Sequence, residues 1–113
     1  MTITKADLRN AALRYLSVLP EGQAATPHQV TTVESVIDRA QAFLESEGLA
    51  YWETTAIPDD VANAYRRFIA AEVAPELMEP DRAGPYVAMR GDALTEIRRM
   101  VSLPNRNVRA EYF

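Results

Sequence analysis

The chain has 113 residues, of which 48% are hydrophobic and 25% charged, with a net charge of −4 at pH 7. This balance is that of a globular protein, and the length fits one domain with a single hydrophobic core. The lack of cysteine excludes disulfides and thiolate chemistry. No apolar run approaches the roughly 20 residues of a membrane-spanning helix, and the first ten residues lack a basic-then-apolar signal pattern. We therefore expect a soluble, cytoplasmic protein.

The charges are divided unevenly along the chain. Residues 1–81 carry six basic and 13 acidic side chains, a net charge of −7, whereas residues 82–113 carry six arginines and three acids, a net charge of +3. This division suggests that the two parts contact different partners. Chance in a short chain is the alternative explanation.

Helical periodicity dominates the sequence, and no convincing strand alternation is present. The first predicted helix begins after Thr4, a candidate N-cap, and ends at Pro20. The second begins after Thr26, where Gln29 completes the spacing of a capping box. Its predicted end is Gly48, which with the apolar residue that follows suits a Schellman motif.

The second half of the chain predicts two more helices. Residues 51–57 connect the second helix to the third and could hold a short extended piece, for which no partner strand is obvious. The third helix opens at Pro58, and Pro75 predicts a kink or a stop near its end. Residues 78–86, "MEPDRAGPY", have the composition of a loop. The fourth helix is predicted over residues 85–102.

These elements predict an all-α fold, a small bundle of four main helices in residues 1–102 with an extended C-terminal arm in residues 103–113. Trp52, just after a helix stop, is expected to close one end of the bundle, although aromatic residues also anchor protein interfaces. The spacing of apolar residues at three and four predicts that the core contains Leu16, Val33, Ile37, Leu44, Tyr65, Phe68, Ile69, Leu94 and Ile97.

Few residues suggest catalysis. His28 is the only histidine, and its place in a first helical turn favours a solvent-facing residue over a metal ligand. Asp59 and Asp60 resemble a carboxylate pair, but both stand where a helix dipole favours anions. Residues 84–91, "GPYVAMRG", lack the Lys-Ser/Thr of a phosphate loop. The sequence therefore predicts no enzymatic activity, no cofactor and no metal site.

Two arginine pairs raise the possibility of nucleic-acid binding. Arg66 and Arg67 lie on the polar side of the third predicted helix, and Arg98 and Arg99 on that of the fourth. Arginine is a common solvated residue at such positions, and a nucleic-acid binder needs a clustered positive face. The acidic body argues against tight binding to phosphate.

The arm, "LPNRNVRAEYF", is the least globular part of the chain. A terminal segment of this kind is often disordered. Apolar residues with arginines spaced among them are typical, however, of a segment that becomes ordered on a partner. We predict docking, with partner-binding residues Leu103, Arg106, Val108, Arg109, Tyr112 and Phe113.

The order of these features resembles the head-to-tail adaptor proteins of tailed phages, a family also described as packaged-DNA stabilisation proteins or tail accessory factors. The likeness lies in a first helix with "ALRYLSVLPEGQ", a second ending in "AFLESEGLAYWETTAIP", a third with "DDVANAYRRFIAAEVAPEL" and a last of the "ALTEIRRM" type. Family members commonly show an aromatic residue near the glycine stop, then Ile-Pro, and a helix ending in Ala-Pro. The likeness covers nearly the whole chain and consists of hydrophobic patterns. Some members have longer C-terminal extensions than this chain.

The resemblance implies a structural role. Adaptors of this family are small helical bundles that form a ring, commonly of twelve copies, under the portal vertex after DNA packaging. The ring extends the DNA channel, through which genomic DNA passes without sequence-specific binding, and supports the stopper or tail. The C-terminal arm of several members clasps the portal protein. The expected location is the neck of the virion, and the host cytoplasm during assembly, with no membrane involved.

Two other classes remain open from the sequence. One is a small helical DNA-binding protein, either a helix-turn-helix regulator or a terminase small subunit. A recognition helix would need basic and amide side chains exposed on one face, and the third helix offers Asn63, Arg66 and Arg67 beside several acids. The other is a helical interaction module of unrelated origin.

Overall fold

The computed structural model describes residues 2–20 and 22–101. They form five helices and two short strands: β1 (Thr2–Ile3), α1 (Lys5–Tyr15), α2 (Pro27–Ser46), β2 (Ile57–Pro58), α3 (Asp59–Leu77), α4 (Pro80–Val87) and α5 (Arg90–Val101). The four longer helices make the predicted all-α bundle, and α4 is an eight-residue addition to it. No helix in these residues is long and apolar enough to cross a membrane. The predicted arm and its boundary at residue 102 lie outside the described residues.

Both predicted capping boxes are present. The Thr4 side chain accepts a hydrogen bond from the Asp7 amide at 3.2 Å, and the Thr4 amide donates to the Asp7 carboxylate at 3.1 Å. Thr26 and Gln29 repeat this exchange at the start of α2, at 3.2 and 2.9 Å. Each pair satisfies two of the amides that a helix start leaves without an intrahelical partner.

The end of α2 confirms the predicted Schellman motif. Gly48 has φ +73, and its amide donates to the Glu45 carbonyl at 3.0 Å. The Leu49 amide donates to the Leu44 carbonyl at 2.8 Å, which completes the two bonds of the motif. Glycine suits this position because it has no Cβ to clash in the left-handed region.

The end of α1 differs from the prediction. The helix stops at Tyr15, before Pro20. Ser17 adopts φ 63, and the Val18 amide donates to the Leu13 carbonyl at 3.1 Å, so the same type of ending forms without glycine. The turn lets Leu19, which is only 5% exposed, still reach the core.

The core is built around α3, which packs against each of the other four helices. Its buried residues fall on most sides of the helix, as expected for an element that is surrounded. All nine residues predicted for the core are buried. The chain thus places its longest apolar pattern at the centre and the other helices around it.

The region after residue 75 corrects two predictions. A stop at Pro75 was one of the two expected outcomes, but α3 continues to Leu77, and the Met78 amide still donates to the Ala74 carbonyl at 2.9 Å. Residues 80–86, which lie in the predicted loop, form most of α4, with Pro80 in its first turn. Packing of Ala83, 3% exposed, against the core outweighs the poor helix propensity of glycine and proline there.

The fourth predicted helix is divided between α4 and α5 in the structure. Residues 85–87 belong to α4, and α5 begins only at Arg90, after a turn at residues 88 and 89. The connector also gains the partner strand that the sequence did not reveal. Ile57 pairs with Ile3 and Pro58 with Thr2, in an antiparallel ribbon that joins the start of the chain to the start of α3.

Candidate interaction surfaces

The predicted partner-binding residues all lie in residues 103–113, outside the described part of the chain. They are Leu103, Arg106, Val108, Arg109, Tyr112 and Phe113. The predicted docking of these residues therefore stays a prediction. The described surfaces are those of the bundle from which this arm continues.

The residues considered for catalysis lie on the surface of the bundle. His28 is exposed in the first turn of α2. Asp59 and Asp60 are exposed in the first turn of α3, where no side chain caps the helix and the carboxylates lie at its positive end. Within residues 2–20 and 22–101, no three histidine, aspartate or glutamate side chains come together as metal ligands.

Trp52 is buried in the bundle, with 5% of its surface exposed; that it closes one end stays a prediction. Its ring lies 5.8 Å from that of Tyr65, between centroids. The side chain of Gln41 holds both residues: its amide nitrogen donates to the Trp52 carbonyl at 2.9 Å, and its amide oxygen accepts from the Tyr65 hydroxyl at 2.8 Å. This buried clamp fixes the connector against α2 and α3, and it has a structural explanation that requires no ligand.

Burial raises the pKa of Tyr65 above its ordinary value, and the nearby carboxylates of Glu45 and Asp38 add to the effect. The hydroxyl therefore stays protonated and donates to Gln41 at neutral pH. A raised pKa in a cleft often marks a functional site. Here the hydroxyl is committed to a hydrogen bond inside the core, so the shift follows from packing.

Arg66 and Arg67, one of the two arginine pairs considered for nucleic-acid binding, are engaged with their own bundle. The Arg66 guanidinium lies 5.2 Å from the centroid of the Tyr15 ring. Arg67 pairs with Glu96 and so joins α3 to α5. Neither side chain is fully exposed. An arginine that recognised bases or phosphates would have to present its guanidinium outward.

Arg90, at the start of α5, joins three helices. Its guanidinium lies 5.8 Å from the centroid of the Phe43 ring and 5.0 Å from that of Phe68, and it also pairs with Glu72. A cation over two aromatic faces is stabilised by their quadrupoles. Arg90 therefore covers the edge of the core between α2 and α3.

Ion pairs with acids outside their own helix account for six of the ten lysine and arginine side chains in the described residues. Besides the two pairs already given, they are Lys5–Asp38 at 2.7 Å, Arg9–Glu34 at 2.7 Å, Arg39–Glu76 at 3.1 Å and Arg98–Glu47 at 3.8 Å. Most are partly exposed and individually weak. Their effect on the surface is to neutralise basic groups locally.

An apolar groove lies where the end of α3 meets α4. It has a volume of about 420 Å³ and is lined by Pro75, Pro80, Ala83, Gly84, Val87 and Ala88. Val87 is 42% exposed, a large value for a valine. The groove exists because α4 turns a stripe of small and apolar residues, at spacings of three and four, toward the end of α3.

This groove was not predicted from the sequence, because residues 78–86 have the composition of a loop. The signal was present in the spacing of Pro80, Ala83, Gly84 and Val87, which fits one face of a helix. Glycine and proline within that stripe indicated a loop and so hid the helical pattern from a prediction based on composition. Composition and periodicity gave opposite indications, and the packing against α3 decided between them.

Comparison with known proteins adds no assignment: no family model, no curated protein and no solved structure matches the chain.

Proposed function

We propose that the protein is a structural neck protein of a tailed phage, a head-to-tail adaptor. In this role, copies of the bundle form a ring on the portal, extend the DNA channel and support attachment of the stopper or tail. The proposal starts from the resemblance in the order of helices and motifs. The small all-α bundle is compatible with it.

The observation that carries the proposal is the use of basic side chains within the bundle. Six of the ten in the described residues pair with acids outside their own helix, and Arg66 packs on Tyr15. Such an arrangement stabilises a scaffold and leaves little clustered positive charge for phosphates. It favours a structural protein over the regulator or terminase small subunit considered from the sequence.

The arm is the proposed portal-binding segment. Tyr112 and Phe113 would serve as apolar anchors, and Arg106 and Arg109 would meet acidic groups of the portal. Burial of two aromatic side chains stabilises a complex by a few kcal/mol, and arginines that stay solvated add less. Several arms on one ring would act together through their effective concentration.

The net charge of −7 in residues 1–81 is consistent with a channel through which DNA slides. An acidic wall repels phosphates, so a duplex that passes along it is not held. We propose that genomic DNA crosses the ring in this way, without sequence-specific contacts.

The test is electron microscopy of the full-length protein mixed with the portal protein of the phage that carries it. The expected result is a ring of adaptor density on one face of the portal. The double variant Tyr112→Ser/Phe113→Ser should lose this density. The control Tyr51→Ser, which removes an aromatic side chain that is 58% exposed on the bundle, should keep it.

Two results would count against the proposal. If the wild-type protein does not bind the portal at saturating concentration, the proposed adaptor role is wrong. Portal binding that survives the double variant would remove the assignment of the anchors. Sub-micromolar binding to short duplexes at physiological salt would support the DNA-binding alternative in its place.

A further inference from the structure

The groove between α3 and α4 has the dimensions of a site for large apolar side chains. Its volume of about 420 Å³ falls within the roughly 300–1,000 Å³ of typical ligand pockets. Pro75 and Pro80 supply flat apolar walls, and the small residues Ala83 and Gly84 leave the space between them open. Aromatic rings bury more area than other side chains and fit flat walls of this kind.

The charges beside the groove are mainly acidic. Residues 75–88 contain three exposed acids, Glu76, Glu79 and Asp81, against Arg82. Arg39 of α2 pairs with Glu76, so this surface keeps a net charge of 2 − 3 = −1. An occupant that combines apolar side chains with positive charge would match both properties of this surface.

The C-terminal arm has this combination. Residues 103–113 carry Arg106 and Arg109 against Glu111, a net charge of 2 − 1 = +1, and end in Tyr112 and Phe113. The arginines precede the aromatic pair by three to seven residues. At about 3.3 Å per extended residue, they would lie within reach of the carboxylates beside the groove when the aromatic pair is inside it.

The direction of α5 indicates which copy supplies the arm. Glu72 pairs with Arg90 and Arg67 with Glu96, so α5 runs antiparallel to α3. The chain therefore leaves α5 near the start of α3, whereas the groove lies at the end of α3. The two positions are separated by roughly the 18 Å length of a twelve-residue helix. An arm that continues away from the bundle meets the groove of a neighbour without reversing direction.

We infer that this groove is an interface between copies of this chain, and that it binds Tyr112 and Phe113 of a neighbouring copy. The contact joins two different surfaces, so each copy offers one arm and one groove. Contacts of this type produce rings when the rotation closes. The inference goes beyond the proposed function and applies to the protein before a portal is present, because an aromatic pair that fills a neighbour's groove is not free to anchor on a portal.

The test is sedimentation velocity of the full-length protein over a range of concentrations, without portal. The wild type should show concentration-dependent self-association. Gly84→Lys places bulk and positive charge in the groove, and its Cβ meets no atom within 4 Å, so the bundle itself is not strained. The matched control Gly91→Lys has the same change of charge in α5, where a Cβ also meets nothing within 4 Å.

Gly84→Lys and the double variant Tyr112→Ser/Phe113→Ser should each weaken self-association by roughly tenfold or more, equivalent to about 1.4 kcal/mol. Gly91→Lys should associate like the wild type. An equimolar mixture of the two defective proteins should form heterodimers, since one keeps its arm and the other its groove. Those heterodimers should not grow further.

The inference is overturned if the wild type stays monomeric at its highest soluble concentration, which includes the case in which each arm fills its own groove. It is also overturned if Gly84→Lys associates as strongly as Gly91→Lys, or if the mixture forms no heterodimer. A protein that passes this test and leaves the portal bare would keep the groove interface and lose the neck role. A protein that fails this test and still forms a ring on the portal would keep the neck role and lose the groove interface.

Discussion

Phe68 lies where α2, α3 and α5 meet. It is 1% exposed, its ring stacks on that of Phe43 at 6.4 Å between centroids, and Arg90 covers it. Phe68→Ala would leave a cavity that the surrounding helices only partly fill, so we expect a loss of about 3–5 kcal/mol in the free energy of unfolding. Urea denaturation followed by circular dichroism measures it. Val87→Ala, at an exposed position, should cost far less, and equal losses would contradict the assigned core.

Tyr65 predicts a pH dependence at the alkaline end. Its pKa is raised in the folded protein, whereas in the unfolded chain it is near 10. Folding therefore favours the protonated hydroxyl, and this stability is complete below pH 10 and is lost as the pH rises through and beyond that value. Tyr65→Phe has no such loss.

At neutral pH, Tyr65→Phe should be less stable than the wild type by about 1 kcal/mol, because the hydrogen bond to Gln41 is absent. The difference should shrink as the pH is raised above 10. Urea midpoints of both proteins at several pH values measure this, and the other tyrosines cancel in the comparison. A difference that stays constant up to pH 11 would show that the hydroxyl ionises without penalty.

At this scale the sequence identified the apolar residues better than the polar ones. Phe68 was predictable because it recurs with Tyr65 and Ile69 on one helical face. Gln41 was not, because glutamine is usually a surface residue, and its partners Trp52 and Tyr65 are 11 and 24 residues away. Periodicity reports burial within one element, and a clamp between elements leaves no local pattern.

The end of α1 provides a prediction at the scale of elements. Ser17 adopts φ 63, a conformation that costs an L-residue roughly 1–2 kcal/mol and glycine almost nothing. Ser17→Gly should therefore raise the free energy of unfolding, by up to about 1 kcal/mol after the added flexibility of the unfolded chain is counted. Thermal unfolding measures the shift.

The control is the same substitution inside a helix. Ser35 is exposed in the middle of α2, where Ser35→Gly should lower stability by about 0.5 kcal/mol. The two variants should thus move the melting temperature in opposite directions. If both lower it, the ending of α1 at Ser17 is not the one that the structure gives.

Helix starts were easier to predict than helix ends. A capping box is a pair of residue types at a fixed spacing, so the N-caps Thr4 and Thr26 can be recognised from the sequence. The ends at Tyr15 and Leu77, and the whole of α4, depend on what the helix packs against. Proline and glycine lower helix propensity by known amounts, but burial of Ala83 and the residues around it can exceed that cost.

For the whole molecule, the charge arrangement predicts weak and salt-sensitive association with DNA. Interhelical pairing leaves few basic groups to displace counterions, so any binding to a short duplex should be lost at physiological salt. Fluorescence anisotropy of a labelled duplex, titrated with full-length protein at low and physiological salt, measures this. Tight binding that persists at physiological salt would indicate a basic surface that the bundle does not show in residues 2–20 and 22–101.

At this largest scale the sequence predicted the fold class and left the surfaces open. Four amphipathic patterns, two of them with capping boxes, suffice for a helical bundle. The groove between α3 and α4 could be recognised only from the three-dimensional arrangement. It is formed by the end of α3 and by α4, and the composition of α4 had indicated a loop. The arm stands apart, since its proposed contacts are with another molecule and not with its own bundle.

The ribbon between β1 and β2 has a consequence for the order of folding. Pairing of Ile3 with Ile57 joins residues 57 − 3 = 54 positions apart, whereas the bonds within each helix join near neighbours. Contacts so distant in sequence form slowly, because the intervening chain must first be drawn together. The docking of α1 on α3 accomplishes this, so the ribbon should close after the two helices have met. On unfolding it should open early, so the pairing of β1 with β2 reports the first step in the loss of structure.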